Sequence, residues 1–476
     1  MNQDRPNILV FITDQQRFDA LACNGNPHIK TPNIDHLAEN GTRFNEAYVC
    51  QPICLPQRVS MLTGLYPSSH GSTTNGVPMD KTLPTYPELL RKAGYQTYAS
   101  GKMHLNPISR GFETPPYEPG EMTGTFPYCG FEKVDFVEGE NAGYLEELNE
   151  HLDSEYKNPN DLNKYDSEGA FQTISGVISE ELHRSTYTAD KTINFLEERD
   201  RNRPFLVHCS FWDPHHPFDP PKPFDSMYSP EDMPLPIEYD ENEFNAMPAH
   251  FKIWRDNCWV QGGKSFARHD RHDWQKMKAH YYGMISLIDK QVGRVMDKLK
   301  SCGLYENTAI FFVSDHGELL GDHGIALKGP FMYQSLLKIP FIFSYPTAFS
   351  PRIINSKVLS YDIMPTILEL AKVNIPERIT AQSILPLLSG NNQTRKTVLC
   401  ENTSEGKNAR TIVSERYKLS CYLETDEGEL FDLENDPDEK QNLWNSDTEI
   451  KAELLLELNQ LQIKSRRPPP KKIGRW

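Results

Sequence analysis

The chain has 476 residues, with 50 lysines and arginines against 66 aspartates and glutamates for a formal charge of −16. That length can bury one large core and add a smaller lobe. The acidic balance excludes a nucleic-acid groove, because the one concentrated basic stretch is the terminal "KSRRPPPKKIGRW".

In chain order, the opening "MNQDRPNILVFITDQQ" has no basic leader region and too short an apolar run for a signal peptide, and no later run could span a bilayer. The expectation is a soluble, cytoplasmic protein without a membrane partner. Within it "NILVFIT" (7–13) reads as a central strand. "CQPICLPQRVSMLTG" (50–64) enters a helix near Cys54, and "YPELLRKAGYQTYASGK" reads as a helix ended by Gly94 and followed by a strand. Residues 106–190 are acidic and loop-rich, the first of two insertions. "PFLVHCSF" (204–211) is a second buried strand, and 219–275 is the second insertion, carrying Trp254, Trp274, His269 and His272 toward the mouth of a pocket. From Tyr281 the residues Ile285, Ile288, Val292, Val295 and Leu299 follow at steps of four and three and stop at Gly303, an amphipathic helix. It feeds the strand "AIFFVS" (309–314), and "IPFIFSY" (339–345) is another. This alternation predicts an α/β fold, doubly wound, over 1–394. Strand-like segments and one helix over 395–460 make a smaller α+β lobe, and 461–476 form a Pro-rich basic tail, an arm long enough to reach a neighbouring subunit in an oligomer. Nine cysteines at irregular spacings read as mostly buried thiols in a reducing compartment, not as a disulfide framework.

In open parallel sheets chemistry gathers beyond the carboxyl ends of the strands. Here Asp14 and Gln15, Lys102 and His104, His215 and His216, and Asp315 and His316 each follow a predicted strand. Asp14, Asp315 and the Gln15 side-chain oxygen suit a hard cation such as calcium, whereas His316 suits zinc or a manganese-like ion. Cys50 and Cys54 have no matching second pair, so they do not make half of a zinc finger. Cys54 instead opens a helix, where free N–H groups favour an anion, and Arg58 follows one turn later.

"CLPQR" followed by "VSMLTG" resembles the sulfatase signature C-x-P-x-R, in which the cysteine is oxidised to formylglycine. "RPNILVFITDQQR", "TPNIDHLAENGTRFNEAYV", "AGYQTYASGKMHL", "DPHHPF", "SDHGELLGDHGIALKG" and "GELFDLENDPDEKQNLW" are similar to that family too, in the family's order and across nearly the whole chain. The resemblance implies an alkaline-phosphatase-like sandwich with a large mostly parallel central sheet and a smaller C-terminal α+β lobe. It also implies hydrolysis of sulfate monoesters to alcohol and inorganic sulfate. Cys54 would become an aldehyde, made by a formylglycine-generating enzyme, and its hydrate would supply the nucleophile. One divalent metal, calcium first with manganese and zinc as alternatives, would be held by Asp14, Gln15, Asp315, His316 and residue 54. Arg58 would steady the diol. Lys102, His215 and Lys328 would neutralise charge on the transferring group, with His215 or Lys328 protonating the leaving alcohol. His104 would be the base that lets the second hydroxyl expel sulfate.

Two departures stand out. Many sulfatases carry two aspartates after the first strand where this chain has Asp14-Gln15, and many have Asp-Asn where it has Asp315-His316. Both pairings are similar to phosphonate monoester and phosphodiester hydrolases of the same superfamily, which makes that activity the alternative. A third reading is an unmodified, non-enzymatic anion binder. Asn75, in "HGSTTNGVP", is placed for a polar contact to the transferring group or for an ordinary turn. The alcohol is unspecified, and a sulfated sugar or an aryl sulfate would suit aromatic walls.

Overall fold

A strand without polar residues on either face is stable only between two covering layers, and that requirement organises this molecule. The computed structural model describes residues 5–106, 127–138, 143–151, 173–174, 178–256, 265–390, 395–404, 406–423 and 425–466. In chain order the strands are β1 (Asn7–Thr13), β2 (Thr42–Phe44), β3 (Ala47–Tyr48), β4 (Gln96–Gly101), β5 (Lys133–Phe136), β6 (Phe205–Ser210), β7 (Thr308–Ser314), β8 (Phe341–Ser344), β9 (Arg352–Ile354), β10 (Val358–Leu359), β11 (Val398–Asn402), β12 (Ala409–Val413), β13 (Tyr417–Tyr422) and β14 (Gly428–Asp432). Eight of them form one sheet in the order β5-β4-β6-β1-β7-β8-β2-β9. Its pairings are parallel except where β8 runs between β7 and β2.

Every residue of β1 and β7 is buried, and alternation along β1 divides them between two cores. Ile8, Val10 and Ile12 meet Val59, Leu90 and Ile367, from the helices Cys54–Thr63, Tyr86–Lys92 and Ile363–Leu370. Leu9 and Phe11 face Ile34, Leu196, Ile285, Ile288 and Val292, from the helices Pro32–Glu39, Arg184–Glu198 and Arg271–Ser301. The expected doubly wound α/β sandwich is therefore present.

The periodic stretch after Tyr281 is part of a longer helix. It starts at Arg271, where Asp270 and Asp273 form a capping box, so the end of the second insertion is helix from Arg271 onward rather than loop. Trp254 and Trp274 are 6% exposed. Trp274 stacks on His269 at 4.7 Å and Trp254 sits edge-on to Phe331 at 5.5 Å, so packing accounts for both, while His272 is exposed. Much of the first insertion lies outside the described residues.

Strands β11 to β14 make the antiparallel sheet of the C-terminal lobe. Leu399, Ile412, Leu419 and Leu430 join the same core as Val10, so the lobe is fused to the main body. The last helix runs Thr448–Ser465, five residues past the expected boundary at 460. The expected tail thus begins as helix, because Leu454 and Leu458 anchor it and chain-breaking prolines come only at 468–470; residues 467–476 lie outside the described residues. No helix among the described residues is long and apolar enough to cross a membrane. Eight cysteines are described and all are free; Cys50, Cys54, Cys209 and Cys400 are buried and the other four are partly exposed.

One buried acid in the small lobe makes the fold pH-sensitive. Glu429 on β14 accepts from the Tyr422 hydroxyl. Burial pushes its carboxyl up to about 7, against the pull of Lys418 and Tyr422 and with help from Glu439. A raised folded-state value contributes stability that is complete below the usual carboxylate range and is lost as pH rises through about 7. Glu429→Gln should therefore gain on the wild type as pH rises from 5 to 8 in thermal unfolding. A difference in Tm that does not change with pH would contradict this.

Candidate active site

Because β4, β6, β1 and β7 are neighbours and parallel, their carboxyl ends open side by side. The ladder continues just past them: Lys102 N–H donates to Ser210 O at 2.8 Å, Phe211 N–H to Ile12 O at 2.8 Å, and Asp315 N–H to Thr13 O at 3.1 Å. Gly101 ends β4 at φ 96°, where a Cβ would overlap the Ser210 carbonyl, so only glycine turns Lys102 into the site. Gln15 (φ 69°) and His104 (φ 45°) also adopt left-handed conformations. For residues with side chains such conformations persist only where surrounding bonds enforce them.

Cys54 is the first residue of a wholly buried helix, Cys54–Thr63. Asn75 Oδ1 accepts the Leu55 N–H at 3.1 Å, and Gln57 Oε1 accepts those of Cys50 and Gln51 at 2.9 and 3.2 Å. Asn75, expected as a substrate contact or a turn residue, thus caps the helix that carries Cys54, and it is otherwise exposed.

Four donor atoms converge. Sγ of Cys54 lies 3.1 Å from His316 Nε2 and 3.8 Å from Asp14 Oδ1. His316 Nε2 lies 3.9 Å from Asp14 Oδ1 and 3.8 Å from Asp315 Oδ1. The four ligand atoms are mutually within 4.8 Å, and all four residues are buried. Their outer sides are tied down. Arg58 binds Asp315 Oδ2 at 2.8 Å and Asp14 Oδ2 at 3.2 Å, and Lys102 binds Asp14 Oδ2 at 2.5 Å. Asp315 Oδ1 accepts the Gln15 N–H at 3.0 Å. His316 Nδ1 is 2.8 Å from Gly317 O; a carbonyl only accepts, so that nitrogen carries a proton, and in the neutral ring Nε2 would offer its lone pair inward. Two carboxylate oxygens, a sulfur and an imidazole nitrogen facing one point could hold a divalent metal with mixed oxygen and nitrogen ligands.

The electrostatics agree. Burial and Cys54 would raise Asp14, but Lys102, His215 and Arg58 hold it below the usual carboxylate range. Burial and the Asp14 charge push Asp315 up, as expected of two buried like charges. Burial alone would raise the Cys54 thiol, yet Lys328, Lys102 and His316 hold it well below its ordinary value. Burial disfavours protonated His316, but Asp315 and Cys54 outweigh it and raise its value.

Around this pocket Lys328 Nζ reaches Cys54 Sγ at 3.1 Å and Gln15 Oε1 at 2.7 Å. Gln15 therefore borders the four-atom cluster, its side-chain oxygen held by Lys328. Lys102 Nζ lies 4.2 Å above the Trp212 ring. His215 donates Nδ1–H to His216 O at 2.6 Å and stacks on His216 at 4.0 Å. Burial, with Lys328 and Lys102 nearby, lowers His215 to about 4. His104 Nδ1 has no hydrogen-bond partner among the described residues. Asp14, His316 and Lys328 thus contact Cys54 Sγ, while Arg58 and Lys102 reach it through Asp14, and Gln15 through Lys328. Sequence reasoning missed the acids behind them. Glu138 accepts the N–H groups of Met103, at 3.0 Å, and His104, and Glu318 accepts from Gln15. Glu318 lies two residues past His316 in "SDHGE", so its nearness was visible, whereas Glu138 carries no local signal.

Arg58 is 4% exposed and bridges two fully buried carboxylates. Arg58→Ala leaves both without that partner and should cost about 3–5 kcal/mol of metal-free stability in denaturant unfolding. A loss below about 1 kcal/mol would contradict this account of the pocket.

Comparison with known proteins is consistent with this geometry. The Sulfatase family model matches residues 6–373, and the model described as N-sulphoglucosamine sulphohydrolase, C-terminal, matches residues 321–464. An arylsulfatase of Clostridium perfringens is 33% identical over 460 residues, covering 93% of this chain and 91% of that protein. The multifunctional alkaline phosphatase superfamily protein PehA of Trinickia caryophylli is 31% identical over 403 residues, covering 81% and 77%. The crystal structure of the phosphonate monoester hydrolase of Agrobacterium radiobacter superposes with a TM-score of 0.84 at 27% identity, covering 97% of this chain and 95% of that one. The chain belongs to the sulfatase family, sulfuric ester hydrolases of the alkaline phosphatase superfamily.

Proposed function

We propose that this protein hydrolyses sulfate monoesters through a formylglycine derived from Cys54 and one divalent metal. The convergence of Asp14, Asp315, His316 and Cys54 on one buried point carries the reading. Cys54 has no exposed surface, so a formylglycine-generating enzyme would have to act before this region folds. The Sγ position then marks where the hydrated aldehyde places its oxygens. Asp14, Asp315, His316 and residue 54 would hold the metal, with Gln15 Oε1 at its edge. Calcium is the first choice because the pocket is rich in oxygen, with manganese as the alternative that His316 favours. When bound, the metal supplies Lewis-acid polarisation and a lowered pKa for the nucleophilic hydroxyl.

The protein's own groups handle the rest. Lys328 and Lys102 neutralise the transferring group, and Arg58 keeps both carboxylates in place. One diol hydroxyl, already ionised, would attack sulfur as the sulfur–oxygen bond to the alcohol breaks, and the departing alkoxide would take a proton from a protein group. Lys328, in contact with Sγ, or His215 is that donor. His104, whose side chain lies within hydrogen-bond reach of Cys54, would take the proton of the second hydroxyl as sulfate departs and the aldehyde returns.

Charge balance restricts the substrate. Asp14 and Asp315 offset Arg58 and Lys102, and Glu318 offsets Lys328. A divalent metal would then balance an ionised nucleophile and one substrate charge. Sulfate monoesters, including sulfated sugars, meet that condition, whereas phosphate monoesters carry nearly two charges. Phosphonate monoesters meet it as well, and the Gln15 and His316 pairings with the 0.84 superposition support that second reading.

The full chain, co-produced with a formylglycine-generating enzyme and checked at residue 54 by peptide mass, should turn over an aryl sulfate with kcat/KM above that for an aryl phosphonate. It should exceed an aryl phosphate monoester by about 100-fold, equivalent to about 2.7 kcal/mol. Cys54→Ala should lose about 10⁴-fold or more. A preference for phosphonate would favour the second reading, and retained activity in Cys54→Ala would sink both.

A further inference from the structure

Glu318 is fully buried just beyond β7. Its Oε1 accepts the N–H groups of Leu320, at 3.0 Å, and Leu327, and its Oε2 accepts from Gln15 Nε2. We propose that Glu318 is a positioning residue that fixes which end of the Gln15 carboxamide faces the cation pocket, a proposal resting on the metal-site reading above.

A carboxamide is nearly symmetric in shape, and only its partners decide which end is oxygen. Three donors face Glu318, which suits an ionised carboxylate that can only accept. Gln15 must therefore turn its NH₂ toward Glu318. On the other side Lys328 Nζ, which can only donate, lies 2.7 Å from Gln15 Oε1. The two neighbours impose the same orientation, and the backbone of Gln15, at φ 69° with its N–H on Asp315, leaves the residue little other freedom. The outcome is a neutral oxygen at the edge of the pocket, with the Glu318 carboxyl hydrogen-bonded to the other end of the amide. A flipped amide would set its NH₂ against the Lys328 ammonium and against any metal. Outer partners of this kind orient ligands and tune metal affinity.

Glu318→Gln reverses the amide without changing its volume. The new Oε1 must still accept from Leu320 and Leu327, so the new NH₂ meets the NH₂ of Gln15 and forces it to turn over. In the exchange variant Gln15→Glu/Glu318→Gln every bond is again donor to acceptor, and that variant keeps the test open if the single substitution fails to fold. The experiment titrates Ca²⁺, and separately Mn²⁺, into metal-stripped full-length protein by calorimetry. Glu318→Gln should weaken binding by about 10- to 100-fold, and the exchange variant should recover most of that loss. Wild-type affinity in Glu318→Gln, or an exchange variant as weak as Gln15→Glu alone, would overturn the proposal while leaving the metal site intact. A wild-type protein that takes up neither ion would overturn the metal reading and this proposal with it.

Discussion

The structure around Cys54 depends on one arrangement: two buried aspartates whose backs are held by the same guanidinium and whose fronts face the same point. Arg58 spans Asp14 and Asp315, and its own NH1 is fixed by the Lys102 carbonyl and the Ser210 hydroxyl at 2.8 and 2.9 Å. Desolvating two carboxylates so close together is unfavourable unless cations are supplied. Arg58 and Lys102 supply them on one side, and the inward oxygens, with His316 Nε2 and Cys54 Sγ, leave the other side ready for a metal. Such a grouping could hold a divalent metal, the reading proposed above.

The fold makes this arrangement by placing four parallel strand ends in one row. β1 contributes Asp14 and Gln15, β7 contributes Asp315 and His316, β4 leads to Lys102, and β6 leads to the His215 loop. That loop is clasped from the neighbouring helix by Arg184, which binds Asp213 at 2.6 Å and Asp219 at 2.9 Å, while the Asp213 carbonyl takes the Asp14 N–H. His183, Asp213 and Asp219 form a second group of potential ligands, but there the Arg184 guanidinium already occupies the role of the cation. The contrast explains why one acidic cluster reads as structural support and the other as a site.

Much of this was legible in the sequence because the relevant signals are local. Apolar runs located β1, β6, β7 and β8, and polar residues directly after the strands located Asp14, Lys102 and Asp315. The antiparallel direction of β8 was not legible, since a run buried on both faces carries no sign of its direction. The helix from Arg271 was only partly seen, because its first turns are polar and their capping box competes with a loop reading. Asn75 was read as a substrate contact or a turn and proved to cap the Cys54 helix; Gln15 was read as a ligand and proved to be shared with Lys328. In both cases the missing information was a partner far away in sequence. Glu138 was missed for the same reason, whereas Glu318 stands only two residues past His316.

Asp14, Asp315, His316 and residue 54 are proposed to enclose one divalent cation. Anomalous diffraction from crystals of the full chain soaked in Mn²⁺ tests it most directly. The expected result is a single strong peak within coordination distance of Asp14 Oδ1, Asp315 Oδ1, His316 Nε2 and the side chain of residue 54. A pocket without a peak, or a peak at His183, Asp213 and Asp219 instead, would contradict it.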